Sequence, residues 1–91
     1  LFAEQCTNCV APCEGPDEPD EGVYLQYQIG NGPWVTINYF DPNGGGDPQL
    51  INWTNWCFQL PAAALTSNVS IRWFQDNDSG AEYDHWGIDN V

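Results

Sequence analysis

Alternation of hydrophobic and polar residues marks a β-hairpin in the first half of the chain. Residues 23–29, VYLQYQI, alternate without a break, which places the odd-numbered hydrophobic residues on one face of a strand. The next four residues, GNGP at 30–33, are a turn signal. We therefore predict that residues 34–39 return as the second strand of the hairpin.

Further strands are predicted on both sides of this hairpin. Residues 69–74 alternate in the same way, and residues 50–60 are rich in aromatics and predict a strand with an irregularity near Asn55. Residues 86–91 begin a final strand, and residues 1–3 have the pattern of the end of one. The chain is thus a succession of short strands.

The fold class follows from what the pattern lacks. No segment sustains a 3.6-residue period, and residues 61–65 form at most one helical turn. We predict an all-β fold, an antiparallel β-sandwich of jelly-roll type. Residues 1–91 are expected to form a single, partial module whose first strands lie outside this segment.

The charge of the chain excludes two classes of partner. Its 91 residues include thirteen Asp or Glu, one Lys or Arg and one His, for a formal net charge of −12. Because phosphate binding depends on Lys and Arg, we exclude nucleic acid and anionic membrane surfaces as partners. No apolar run reaches the roughly 18 residues of a membrane span, so we expect no membrane insertion. Five Trp and 42% hydrophobic residues likewise exclude a disordered acidic chain.

Four cysteines predict disulfide bonds and an oxidising, extracellular location. We favour the pairs Cys13–Cys57 and Cys6–Cys9, although three connectivities are possible and the sequence alone does not choose among them. The competing interpretation is a zinc site made of the first three cysteines with Cys57 or His85. Its spacing, C-x2-C-x3-C, matches no standard zinc finger.

Two acidic stretches predict a bound calcium ion. Residues 6–21 form an acidic, cysteine-rich loop with five carboxylates between positions 14 and 21, and a second acidic stretch covers 76–89. Arg72 is the only Lys or Arg that could balance them. A structural Ca²⁺ with oxygen ligands would offset the repulsion among the carboxylates. The predicted ligands are Glu21, Asp89, Asp20 and Asp84. The alternative is that both stretches are a solvated acidic surface of halophile type with no specific ion.

Aromatic residues are divided between core and surface. Trp73 and Trp86 fall in phase with hydrophobic strand faces and are predicted core residues, and Trp34 is expected to cover the hairpin. Four others are candidates for stacking on a sugar or for packing against a neighbouring module. They are Trp53, Trp56, Tyr24 and Tyr39. Trp53 and Trp56 are out of phase, which predicts that one of them is exposed.

Three N-x-S/T triplets are candidate glycosylation sites. Asn68 and Asn77 lie in predicted turns, whereas Asn52 lies among aromatic residues. The sequence therefore favours the first two.

Enzymatic interpretations have little support in the sequence. Glu18 and Asp20 are spaced like part of a glycosidase motif but lie in a proline-rich loop with no third acid. Asp84 and His85 suggest a catalytic triad, yet no G-x-S-x-G turn supplies a nucleophile. We predict that the chain is not an enzyme.

Three segments of the chain resemble one known family. They are CEGPDEPDEGVYLQYQIGNGPWVTI, WCFQLPAAA and IRWFQDNDSGAEYDHWGIDNV, and together they cover about residues 13–91. These segments resemble the reelin-type subrepeat, a jelly-roll module related in architecture to MAM domains. They are also similar to modules in large secreted surface proteins of gliding, type IX-secreting bacteria. The closing block, DHWGIDNV, is the most specific of the cues.

The resemblance implies a non-catalytic extracellular module, repeated or appended within a long chain and often holding structural calcium. We therefore expect a structural or adhesion module of a larger secreted or cell-surface protein, including repeat-containing and filament-forming ones. Its expected partners are neighbouring modules, copies of the same protein, and glycans. The alternative, from a different functional class, is a carbohydrate-binding module appended to a secreted enzyme.

Overall fold

A computed structural model of the chain describes residues 2–4, 20–42, 50, 53–77 and 86–91, with residues 2–4 described by their backbone alone. Five strands lie within these ranges. They are β1 (Phe2–Glu4), β2 (Val23–Ile29), β3 (Val35–Phe40), β4 (Val69–Gln75) and β5 (Trp86–Ile88).

The strands form two antiparallel sheets. β2 is the central strand of a three-stranded sheet with the order β3-β2-β4, and β1 pairs with β5 in a two-stranded sheet. This arrangement confirms the predicted all-β class and the predicted hairpin of β2 and β3. A single 3-10 turn at Ala62–Ala64 precedes β4, as the pattern around Pro61 predicts. Within the described residues, no helix is long and apolar enough to cross a membrane.

Strand alternation gives the three-stranded sheet two distinct faces. We call the face that carries Val23 and Leu25 the inner face, and the face that carries Tyr24 and Gln26 the outer face. On β4, Trp73 lies opposite Leu25 and therefore also belongs to the inner face.

A β-bulge in β3 decides which of its residues reach each face. Leu25 pairs with Asn38 but Gln26 pairs with Thr36, so Ile37 is the extra residue on β3. Beyond the bulge, Thr36 lies on the outer face and Val35 on the inner face. An unbroken register would have exchanged these two positions.

The core lies on one half of the inner face. Val23, Leu25, Phe40 and Leu50 are buried there. Partly buried hydrophobic side chains pack against this cluster, namely Ile37, Trp56, Phe58, Trp73 and Trp86. The predicted core positions of Trp73 and Trp86 are therefore confirmed, although both rings remain partly exposed.

The predicted strand over residues 50–60 is wrong for residues 53–60. Among these residues only Thr54 forms an isolated bridge. Burial nevertheless alternates along the segment, with Trp56 and Phe58 packed inward and Cys57 exposed. The aromatic side chains produce a strand-like pattern because they pack on the sheet, while the backbone of the segment lacks the ladder of a strand.

Candidate functional site

The only Lys or Arg residue of the chain lies on the outer face of the sheet. The guanidinium carbon of Arg72 lies 4.1 Å from the ring centroid of Trp34 and 4.5 Å from that of Phe74. Its Nε donates a hydrogen bond of 2.7 Å to Oε1 of Gln26, and Nε2 of Gln26 donates one of 3.1 Å to Oγ1 of Thr36. A row of polar side chains therefore crosses all three strands. The guanidinium at one end of this row contacts two aromatic rings.

The charge of the chain suggests that Arg72 balances acidic residues, but its contacts in the structure are of another kind. Within the described residues its contacts are two aromatic rings and an amide, which hold a cation by cation–π attraction and hydrogen bonding. Trp34, predicted to cover the hairpin, is half-buried beneath this guanidinium. The alternation of β2 identifies Gln26 as an outward residue, but only the sheet brings it beside Arg72.

Two of the candidate aromatic residues, Tyr24 and Tyr39, form a pair on the outer face near the start of β2. The rings of Tyr24 and Tyr39 lie 4.6 Å apart, centroid to centroid, and are tilted by 39°. The backbone N–H of Gly22 donates a 3.0 Å hydrogen bond to the Tyr39 hydroxyl. Burial raises the pKa of Tyr39 above its ordinary value, partly offset by this hydrogen bond, and the nearby acidic groups of Tyr24, Asp41 and Asp20 raise it further. Tyr39 is therefore anchored to the backbone that leads into β2.

The inner face contains an aromatic cleft of about 230 Å³. Its lining residues are Leu25, Phe40, Trp56, Phe58, Trp73, Asn90 and Val91. Trp56 meets Phe40 edge to face at 5.3 Å and stacks nearly parallel to Phe58 at 6.2 Å. The Nε1 of Trp56 is buried without a hydrogen-bond partner within the described part of the chain. Trp53, in contrast, is 57% exposed, which confirms that one of this out-of-phase pair faces solvent.

A second apolar surface lies at the hairpin end of the inner face. Ile29, Val35 and Ile71 are 38%, 41% and 41% exposed, and the half-buried Tyr27 lies among them. A shallow groove of about 200 Å³ follows this surface past Pro33. We call the side chains of Tyr27, Ile29, Val35 and Ile71 the hairpin-end patch.

The end of the predicted acidic loop is joined to the closing strand by one side chain. Gln75 of β4 donates a 2.9 Å hydrogen bond from Nε2 to the backbone carbonyl of Glu21. Its Oε1 accepts a 3.2 Å hydrogen bond from Nε1 of Trp86 in β5. Glu21 itself is 3% exposed, the one charged residue that is buried among those described. The sequence pattern gives no sign of this bridging role for Gln75.

The predicted calcium ligands do not assemble into a site within the described residues. Asp20 and Asp89 are exposed, and a carboxylate oxygen of Asp89 accepts the backbone N–H of Asn90 at 2.9 Å. No three His, Cys, Asp or Glu side chains in the described ranges form a group that could hold a metal ion. Asp84 lies outside those ranges. The calcium site stays a prediction.

The disulfide and glycosylation candidates are only partly described. Cys57 carries an exposed, free thiol, and its predicted partner Cys13 lies outside the described residues, as do Cys6 and Cys9. The disulfide connectivity therefore stays a prediction.

Of the three glycosylation candidates, Asn68 and Asn77 are exposed, and Asn52 lies outside the described residues. Asn68 occupies the turn that precedes β4, as its sequence context predicts.

Comparison with known proteins identifies the family. The family model of reelin subrepeat B matches residues 4–91, nearly the whole chain. No solved structure matches the chain. Reelin repeats are structural rather than catalytic modules, typically extracellular, and a repeat implies neighbouring domains. The chain belongs to the reelin subrepeat B family.

Proposed function

We propose that the chain is a non-catalytic structural or adhesion module of a larger secreted or surface protein, and that it packs against a neighbouring module through the hairpin-end patch. The observation that carries this proposal is the patch itself. In a chain with a net charge of −12, four hydrophobic side chains lie together at one end of the inner face with no charged residue among them.

Packing of a neighbour on this patch is favourable because the side chains are already oriented by the sheet. Each of the three most exposed patch residues would gain about 1 kcal/mol from burial of its remaining apolar surface. Contiguous exposed hydrophobic surface commonly marks an interaction site, and repeat modules gain stability from the interfaces with their neighbours. The acidic remainder of the surface disfavours association elsewhere between like-charged modules.

A matched pair of adjacent residues tests this packing in the full chain. Val35→Cys places a thiol on the patch, whereas Thr36→Cys places one on the outer face, and both parent residues are exposed. We expect Val35→Cys to react with a thiol reagent about tenfold more slowly than Thr36→Cys, which corresponds to about 1.4 kcal/mol of protection. Peptide mapping assigns the label to position 35 or 36 and separates it from any label on a native cysteine. Equal labelling rates would show that no neighbour covers the patch.

The proposal includes a structural calcium ion and disulfide bonds. Its support is the charge imbalance, together with the bridge through Gln75 that joins Glu21 to β5, the strand next to Asp89. A divalent ion and cystine bridges would offset the repulsion of thirteen acidic residues.

Thermal unfolding with and without a chelator tests the calcium ion. At a calcium concentration about 100 times its dissociation constant, a single site adds about 2.7 kcal/mol of stability. We expect Glu21→Gln to remove the calcium-dependent shift in Tm and the control Asp76→Asn, at an exposed position, to keep it. A Tm that is the same with chelator would instead support the solvated acidic surface.

A carbohydrate-binding module is the second candidate function. The aromatic cleft on the inner face supports it, because its volume of about 230 Å³ and its ring-lined walls suit a single pyranose. The exposed Trp53 offers a further stacking surface. Binding of the full chain to a polysaccharide that is lost in Trp53→Ala or Trp56→Ala, with the fold unchanged, would favour this function. No binding to β-glucans or chitin would count against it.

A further inference from the structure

We propose that Asn68, in one of the three N-x-S/T triplets, carries an N-linked glycan in the secreted protein. Asn68 lies in the turn that enters β4, and its residue is exposed. The two residues that complete the triplet, Val69 and Ser70, are the first two residues of β4. The whole acceptor sequence therefore lies at the turn that enters β4 and at the start of that strand.

The backbone of Asn68 is fixed, while its side-chain amide is free to be modified. Its carbonyl accepts a 2.8 Å hydrogen bond from the backbone N–H of Gly30, and its own N–H donates one of 3.4 Å to Oγ1 of Thr66. The side-chain Nδ2 makes no hydrogen bond within the described residues. A glycan on this atom would consequently disrupt none of the hydrogen bonds among the described residues.

Glycine at position 30, across from Asn68, keeps a side chain away from the Asn68 amide. Gly30 has a φ of +56°, a conformation that favours glycine, and a Cβ at this position would lie 3.2 Å from Nδ2 of Asn68. Any larger residue would therefore crowd the atom to which the first sugar binds. Glycine at position 30 makes the turn and also keeps this approach open.

The modification is a group transfer from a lipid-linked oligosaccharide diphosphate. Nδ2 of Asn68 forms a bond to the anomeric carbon of the first sugar, and the bond between that carbon and the diphosphate oxygen breaks. One proton leaves Nδ2, and the lipid diphosphate departs with the electron pair of the broken bond. The hydroxyl of Ser70 completes the recognised triplet.

The glycan is compatible with the hairpin-end patch. Val69 pairs with Ile29 on the inner face, so alternation along β4 places Ser70 on the outer face. The hydrogen bond from Gly30 to Asn68 continues the pairing of β2 and β4 by one residue, which places Asn68 on the same side as Ser70. A glycan there leaves the inner side open to a neighbouring module.

Site mapping of the full chain secreted from a eukaryotic host tests the proposal. Peptide-N-glycosidase treatment in heavy-oxygen water converts a glycosylated Asn to labelled Asp, which mass spectrometry locates. We expect the label at Asn68. Asn68→Gln and Ser70→Ala should each remove one glycan, whereas Ser70→Thr, which retains the hydroxyl and suits a strand, should keep it.

Asn77→Gln is the matched control, since it removes another triplet whose Asn is exposed and should leave the label at Asn68 unchanged. Secreted chains in which Asn68 is unlabelled would overturn the proposal. A glycan count that is the same in the parent and in both Asn68→Gln and Ser70→Ala would overturn it as well. Because Ser70→Thr retains the hydroxyl, retention of the glycan in this variant attributes the loss in Ser70→Ala to the missing hydroxyl of the acceptor triplet.

Discussion

The two ends of the same inner sheet face differ sharply in burial. Val23 and Leu25 are 1% and 6% exposed, whereas Ile29, four residues further along the same strand, is 38% exposed. All three follow one alternating pattern and point to one side. The difference arises because Trp56 and Phe58 cover the first end and no described residue covers the other to the same extent. Alternation thus fixes which way a residue points, and distant segments decide whether it is buried.

The largest expected loss of stability comes from truncating Leu25 at the covered end, compared with truncating Ile29 at the exposed end. Leu25→Ala should lower the free energy of unfolding by about 2–5 kcal/mol, because it removes a buried side chain from a packed cluster. Ile29→Ala should cost about 1 kcal/mol, because much of its side chain remains in water. Urea unfolding of the two variants measures the difference. Equal costs would contradict the contrast between the ends.

A pair of glycines sharpens the same comparison. A Cβ at Gly22, beside the covered end, would clash with the carbonyl oxygen of Phe40 and lie 2.5 Å from the Tyr39 ring. Gly22→Ala should therefore destabilise the chain by about 1–3 kcal/mol through overpacking.

The control for Gly22→Ala is Gly32→Ala in the hairpin turn. Its nearest contact would be 3.0 Å, to the carbonyl of Ile29, so a smaller loss of stability is expected. Thermal unfolding compares the two variants, and a larger loss at Gly32 would reverse the assignment of the tightly packed end.

Arg72 lies between the two ends, on the outer face, and its loss should have an intermediate effect. Arg72→Gln removes the contacts with Trp34 and Phe74 and should cost about 1 kcal/mol. Because the cation contacts rings rather than an exposed carboxylate, we expect this cost to change little with added salt. Urea unfolding at low and high salt checks both points. A cost that disappears at high salt would indicate an ion pair instead.

The smallest effect concerns the ionisation of Tyr39 at the covered end. Its pKa is raised in the folded state, chiefly by burial. The neutral phenol is therefore favoured by folding, and its contribution to stability is complete below the ordinary pKa of 10.0 and is lost as the pH rises through the folded-state value. We expect Tyr39→Phe to weaken this alkaline loss of stability and Tyr24→Phe to retain it, as measured by unfolding across that pH range. The same alkaline profile in parent and Tyr39→Phe would contradict the assignment.

Local patterns predicted the hairpin well because its signal lies within the strands themselves. The bounds of β2 agree with residues 23–29, and β3 is displaced by one residue, Val35–Phe40 rather than 34–39. The same reasoning failed over residues 53–60, where aromatic side chains pack alternately without a paired strand. A period of two reports side-chain packing as readily as it reports backbone pairing.

The candidate surfaces were less predictable than the strands. The phase of Trp53 and Trp56 predicted that one of them is exposed, but not which one. The hairpin-end patch was not predictable either, since Ile29 shows the same pattern as Leu25. The role of Gln75, which bridges Glu21 and Trp86, depends on three segments far apart in the chain. No local signal could have identified it.

The sequence by itself determined the family, the all-β class and the direction of most side chains in β2 and β4, because these depend on residue types and on the two-residue period of a strand. Only the tertiary structure decided the bulge at Ile37, which places Thr36 rather than Ile37 opposite Gln26. It also placed Arg72 against Trp34 and Phe74, and left one end of the inner face exposed. These features depend on register and on contacts between distant segments, which a local pattern does not specify.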